Sequence, residues 1–495
     1  MVSFKNRFLQ KSFTLHLRSV TEMNTRIEFD SIGSLPIPNE AYYGVQSLRA
    51  KNNFSLSGEM LHPILIKKLA LIKKIAAFTN YQEKNLSASI AEAICKASDE
   101  IIAGHFQDDF IVDAIQGGAG TSANMNMNEV IAHRASEILG GTKETYELVH
   151  PNDHVNCSQS TNDVFPTAGK LTVLELLPQL ISTLTSLEKT LERKATEFSN
   201  VIKMGRTQLQ DAVPTTLGRS FKAYQSAVQR DIQQLTTITS EMYTLNIGAT
   251  AIGNSINASA GYSATIAKNL AHELKLPLQQ ADDLYDATQN VDGFVRVSGV
   301  VKTAAVTLSK MCHDLRLLSS GPKTGFGEIN LPAMQNGSSI MPGKVNPVIP
   351  EVVSQVAFQI IGNDLTITMA AESGQLELNP FEPIIFRNLF SSIELLTNAV
   401  MTLTDNCIIG ITANEAHCRN QVEQSPGIVT ALCPLIGYQK ASELAKESLQ
   451  TGRSIRHILL EKNWLSPEKS NELLDLEKIA KGIVSSNHVP ISIIV

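Results

Sequence analysis

Neither sign of charge dominates this sequence: 42 basic side chains face 48 acidic ones, for a formal net charge of −6. That near-balance removes the electrostatic reason to expect nucleic acid or an anionic membrane as a partner. Small neutral or anionic ligands stay open. Cysteine is sparse. The six present, Cys95, Cys157, Cys312, Cys407, Cys418 and Cys433, lie far apart with no Cys-x-x-Cys pair, which argues against a zinc site or a disulfide framework and fits a reducing compartment. No uninterrupted apolar run reaches the roughly twenty residues that a membrane-spanning helix needs. A Gly-x-Gly-x-x-Gly after a strand and a Gly-Lys-Ser/Thr phosphate loop are also missing. Dinucleotide and phosphate-loop chemistry therefore have no motif to stand on, and the eleven histidines each read as structural.

What is present is length and helical periodicity. A chain of 495 residues has room for about three domains and a large core. Residues 1–22 are basic, contain serine and have no acid before Glu22; they read either as an organelle-targeting segment or as a stretch ahead of a chain that properly begins at Met23. The second, simpler reading goes with a cytoplasmic protein. From about 168 to 405 the apolar spacing is helical. Leu177, Leu180, Leu184, Leu187 and Leu191 make one stripe; Phe221, Tyr224, Val228, Leu235, Ile238, Met242 and Leu245 make another. Val297 to Leu315 and Leu389 to Leu403 repeat the pattern, and 351–372 is apolar on more than one side, as for a helix at the centre of a bundle.

Five long central helices are expected, flanked by shorter ones at 64–79, 88–104 and 127–139 and by a more polar tail. The division drawn is an extension at 1–22, an N-terminal domain at 23–160, a central bundle at 161–405 and a small helical domain at 406–495. A helix of about 30 residues is roughly 45 Å long, more than one compact globule hides, so assembly through the bundle is expected.

Four stretches concentrate small hydroxyl and amide side chains: QGGAGTSANMNMN (116–128), CSQSTNDVFP (157–166), MGRTQLQDAVP (204–214) and GSSIMPGKVNP (337–347). Each reads as a loop at or just ahead of a helix start, where free N–H groups and the dipole favour an anion. One such stretch alone is more often a cap. Four together, with few charges, suggest a pocket that grips carboxylates by neutral donors plus one cation, Lys344. In 337–347 the glycines permit unusual backbone and the prolines stiffen the ends; the loop can present Ser338 or Ser339 among N–H groups that lower the cost of an ionised serine. A plain linker, with Ser338 and Ser339 as turn formers, stays open on composition alone.

GSSIMPGKVNP also resembles the hallmark of the fumarase/aspartase superfamily, and the likeness runs over nearly the whole chain from about Met23. AYYGVQSLRA (41–50), QGGAGTSANMN (116–126), HPNDHVN (150–156), QSTND (159–163) and GRTQLQDAVP (205–214) are similar to the aspartate ammonia-lyase branch. The resemblance implies an all-α fold of three domains, a homotetramer with a twenty-helix core, and active sites assembled from three subunits. It implies deamination of L-aspartate to fumarate with no redox or organic cofactor, Mg²⁺ activation being undecided. It assigns Ser338 as the base, and Thr121, Ser160 and Thr161 as donors to an enediolate, with N–H groups of 338–340. Lys344 and Asn346 would anchor the α-carboxylate, beside Ser339. Asn162, Thr207 and Gln208 would sit around the amino group and α-carboxylate. His150, Asn152 and Asp153 match a second carboxylate site of fumarases. Two departures stand out: Gln208 replaces a histidine that would pair with Glu351, and Cys157 stands where lysine is frequent. A class II fumarase and an inactive helical scaffold are the rival readings.

Overall fold

The computed structural model describes residues 24–482; the extension read at 1–22 lies outside the described residues. The chain falls into two units, each discontinuous in sequence. One holds residues up to Leu176 with Thr239–Ser298 and Asn363–Ser391; the other holds Leu177–Ile238, Gly299–Gly362 and the chain from Ser392 onward. The fold is all-α with small two-stranded sheets.

The five expected long helices are Thr161–Glu197, Leu217–Ile238, Asp292–Leu318, Val348–Glu372 and Glu382–Asn406. Their stripes are the core: Leu177, Leu180, Leu184, Leu187 and Leu191 are fully buried, as are Leu389, Ile393, Val400 and Leu403. Burying such a side chain contributes about 1.5–3 kcal/mol, which overrides the weak propensities of the β-branched residues among them. The two-sided helix Val348–Glu372 keeps one apolar face inward, with Val353, Ala357, Ile360 and Ile367 buried. Phe358, Ile361, Leu365 and Met369 are exposed on the other face.

Of the shorter helices, Pro63–Gln82 and Ala88–Ile102 fall as expected, whereas the third is Thr121–Ile138 and starts at Thr121 rather than 127. Its asparagines have weak helix propensity, but the fold gives them partners: Asn126 accepts from Ile111 N (3.0 Å) and donates to the Asp109 carbonyl (2.8 Å). The loop before it ends abruptly because Gly118, Ala119 and Gly120 are all left-handed, at φ +88°, +55° and +85°. Gly120 cannot be replaced cheaply, since a Cβ there would lie 2.4 Å from the Phe165 ring.

Two hairpins were not expected. Strands β1 (Thr25–Asp30) and β2 (Gly33–Pro38) pair antiparallel, with Arg26 and Glu28 buried and Ile27 and Phe29 exposed, the reverse of the usual alternation. The Arg26 guanidinium is satisfied inside by Glu28 Oε1 (2.8 Å) and the carbonyls of Pro38 and Ala41 (both 2.9 Å). Strands β3 (Ile202–Thr207) and β4 (Gln210–Thr216) form the second hairpin in what reads as a loop. Ile202 and Met204 point into a core shared with Val422, Leu432, Leu444, Ile455 and Ile458 of the C-terminal helices.

In the first unit, Phe165, Phe294, Phe386 and Phe390 pack as one aromatic cluster, with ring centroids 4.9–5.5 Å apart. Gly169 lies against it: a Cβ there would be 2.2 Å from Phe386 Cζ. Gly169→Ala gains about 1 kcal/mol of helix propensity, but overpacking a closed cluster costs about 1–3 kcal/mol. A thermal melt is expected to show a lower Tm for Gly169→Ala than for wild type; an equal or higher Tm would show that the cluster has room.

Candidate active site

Thr121, Ser160, Thr161 and Asn162 lie in the first unit, on two helix starts. Ser160 caps the helix Thr161–Glu197: its Oγ accepts from Asn162 N (3.2 Å), and Asp163 Oδ1 accepts from Ser160 N (3.0 Å), a reciprocal arrangement that satisfies two otherwise free donors. Asp163 Oδ2 accepts from Gly248 N and Thr250 N, both at 3.0 Å. Burial pushes the Asp163 carboxyl up to about 6, against the pull of these donors and of Lys73.

Thr161 Oγ1 accepts from Asn124 Nδ2 (3.1 Å). Asn124 Nδ2 also donates to Asn156 Oδ1 (3.1 Å), which takes further bonds from Asn128 Nδ2 (3.2 Å) and Lys73 Nζ (2.9 Å). Lys73 Nζ completes its set at Gln159 Oε1 (3.0 Å). These bonds tie the helix that begins at Thr121 to the stretch that carries Ser160 and Thr161. Thr121 itself is exposed on the first turn, and its N–H donates to the Gly118 carbonyl (2.9 Å). Asn162 Nδ2 is already committed to the Ala251 carbonyl (2.7 Å).

Sequence reading missed Lys73. It is fully buried among Leu69, Ile72, Ala76 and Asn80, and desolvation drives its ammonium down to about 7, with Asp163 opposing. A lysine on the apolar stripe of LIKKIAAF was the available signal. Cys157 takes part through its carbonyl, which accepts from Asn80 Nδ2 (2.9 Å) and Gln159 Nε2 (3.0 Å); burial raises its thiol. His150 Nδ1 accepts from Asn152 N (3.2 Å) and Asp153 N (3.1 Å). His150 and Asn152 line a cavity of about 540 Å³ with Gln46, Arg49 and Ser122.

The remaining residues lie in the second unit. Thr207 ends β3, and Gln208 and Leu209 form the two-residue turn with φ of +52° and +62°. Both are non-glycine in a left-handed pair that normally favours Asn-Gly, a strain of about 1–2 kcal/mol per residue. Gln208 is exposed, and Glu351 lies 3.7 Å from Arg316.

The stretch 337–347 is a loop, as expected. Ser338 Oγ accepts from Ile340 N (3.2 Å) and Met341 N (3.0 Å). Gly337 N donates to the Lys344 carbonyl (2.9 Å), and Asn346 Nδ2 donates to the Gly337 carbonyl (2.7 Å). A Cβ on Gly337 would sit 2.5 Å from that Lys344 oxygen. Ser338 is half-buried, while Ser339 and Lys344 are exposed.

Residues 33–362 match the family model described as Lyase, and 428–481 match the model of the fumarase C C-terminus. The chain belongs to the fumarase/aspartase superfamily. It is 51% identical to an aspartate ammonia-lyase of Bacillus sp over 92% of this chain and 97% of that one. With the aspartate ammonia-lyase of Escherichia coli (strain K12) it shares 45% identity over 92% and 96%. Among solved structures, a class II fumarase from Schistosoma mansoni superposes with a TM-score of 0.89 at 36% identity, covering 92% of this chain and 99% of that chain.

In this superfamily member the Lys73 site makes a pH test. Lys73 keeps its proton to about 10.5 when unfolded and only to about 7 when folded. Between those values the folded state binds fewer protons, so stability rises with pH, by up to about 1.4 kcal/mol per unit. Asp163, raised from 3.8 to about 6, acts in the opposite sense at lower pH, where stability falls as pH rises. Lys73→Met is expected to be less stable, and melts should show wild type pulling further ahead of it from pH 7 to 9. A gap that stays constant over that range would contradict the buried, titrating ammonium.

Proposed function

We propose that this lyase is an aspartate ammonia-lyase, converting L-aspartate reversibly to fumarate and ammonia. Curated aspartases 45–52% identical over about 92% of the chain support that substrate. The observation that carries the mechanism is the pair of N–H groups, of Ile340 and Met341, that Ser338 Oγ receives. Those donors stabilise a serine oxyanion, which removes the proton beside the β-carboxylate. The resulting enediolate carries two negative charges on the former carboxylate. One donor of this kind is worth about 2.7–4 kcal/mol, so Thr121, Ser160 and Thr161 act together.

Lys344 supplies the positive charge for the α-carboxylate. Asn346 shapes the loop through Gly337 as well as facing substrate, and Ser339 borders the same carboxylate. Asn162, Thr207 and Gln208 surround the amino group, Asn162 by way of the atoms left free of Ala251. Collapse of the enediolate expels ammonia. The scheme uses no redox or organic cofactor, and Mg²⁺ activation is tested by adding and chelating the ion.

The assembly proposed is a homotetramer with each site built from several subunits, and a three-part division at 23–160, 161–405 and 406–495. Its support is the outward face of Val348–Glu372, where Phe358, Leu365 and Met369 are 56%, 61% and 59% exposed. A helix of that kind needs a second helix against it. Cytoplasmic placement is part of the proposal, and the free cysteines are in keeping with a reducing compartment.

Class II fumarase is the second reading, favoured only by the shared fold. With purified protein, fumarate absorbance is expected to rise with L-aspartate and hardly at all with L-malate; a rise with malate alone would overturn the assignment. Ser338→Ala should lower turnover by about 10²–10⁴-fold with helix content and assembly unchanged, and more than a few per cent of residual activity would remove Ser338 as base. Lys344→Met should mainly raise KM; unchanged saturation would contradict its anchoring role.

A further inference from the structure

Glu328 has no exposed surface and yet belongs to none of the four polar stretches. Its Oε1 accepts from Arg206, and Lys203 Nζ lies 3.1 Å from its Oε2. The Arg206 guanidinium also lies over the Phe326 ring, 4.2 Å from the centroid, and its Nε is 3.8 Å from Asp211 Oδ1 across the hairpin. Asp211 Oδ2 accepts from Ser425 Oγ (2.7 Å). The backbone at Glu328 is pinned too. Asn414 N donates to the Glu328 carbonyl (2.9 Å), Asn414 Nδ2 to the Gly327 carbonyl (2.7 Å) and His417 Nε2 to the Phe326 carbonyl (2.8 Å). Ile329–Asn330 pairs with Thr412–Ala413.

Arg206 is therefore the point where two chain segments meet. Its own strand runs directly into Thr207 and the left-handed Gln208–Leu209 turn, with Arg206 opposite Asp211 and Thr207 opposite Gln210 in the ladder. The other segment, 326–330, leads into the loop that carries Ser338. A non-glycine left-handed pair persists only where its surroundings hold it, and a buried carboxylate facing two cations is a strong local constraint.

We propose that Arg206, through Glu328 and Phe326, is a positioning residue that holds the Gln208 turn and the root of the Ser338 loop in one fixed register. It does not touch substrate, and the proposal rests on the aspartate ammonia-lyase reading only for its kinetic arm. Lysine keeps the charge at this position but loses both the fork and the flat face that stacks on Phe326.

The test uses full-length R206K, with F326L as a second variant should R206K fold poorly. Amide hydrogen exchange is read on peptides covering 205–212 and 326–335, and kcat/KM for L-aspartate is measured in a cycle with Q208A. Exchange in the turn is expected to quicken by about tenfold while the long helices stay protected, and kcat/KM to fall by about tenfold. In the Q208A background R206K should cost clearly less than tenfold, because part of the effect of Arg206 passes through that turn. Unchanged exchange in both variants overturns the proposal, and so do losses for R206K and Q208A that simply multiply. A loosened turn in R206K beside a wild type that forms no fumarate refutes the aspartase reading and supports the brace.

Discussion

A serine oxygen can carry negative charge only where hydrogen-bond donors already point at it, and the proposed reaction depends on that requirement. In the proposed reaction the donors are the N–H groups of Ile340 and Met341, 3.2 and 3.0 Å from Ser338 Oγ. They hold that direction because the loop is closed on itself by Gly337, Lys344 and Asn346. Gly337 is needed there for want of space and not for an unusual dihedral, since any Cβ would strike the Lys344 carbonyl. Gly343, at φ +79°, supplies the bend. Preorganisation of this kind means that little reorganisation is left for the moment of proton transfer.

The other polar stretches are fixed by buried charge in place of loop closure. Asp163 holds three backbone N–H groups, and Lys73 holds the Asn156 and Gln159 amides. Both ions are fully buried. Burying such groups costs several kcal/mol per ion, which the backbone N–H groups on Asp163 and the amide oxygens on Lys73 offset. The return is that hydroxyl and amide groups facing the proposed substrate cannot relax toward alternative partners.

The long helices were legible because their apolar stripes have one period and one answer. The polar loops were legible by composition, since Gly, Ser, Thr and Asn crowd where backbone must turn and donors must be free. The hairpins were not. In β1 the buried residues are Arg26 and Glu28 and the exposed ones Ile27 and Phe29, so reading the apolar side as the inner one gives the wrong face. In β3 and β4 the turn is Gln208–Leu209, which carries no turn signal, and the conformation is imposed by tertiary contacts. The helix start at Thr121 was hidden by asparagines whose partners lie far along the chain. Lys73 and Arg206 were overlooked for a related reason: a lone lysine or arginine looks solvated until the fold shows what it is buried against.

The most direct test of the account removes one donor without touching a side chain. Replacing Met341 by its α-hydroxy analogue turns the amide to that residue into an ester, deleting the N–H that lies 3.0 Å from Ser338 Oγ. With L-aspartate as substrate, the account predicts a fall in kcat of about 10²–10³-fold with KM nearly unchanged and the fold intact. An ester variant that turns over at the wild-type rate would contradict the claim that these N–H groups make Ser338 a base.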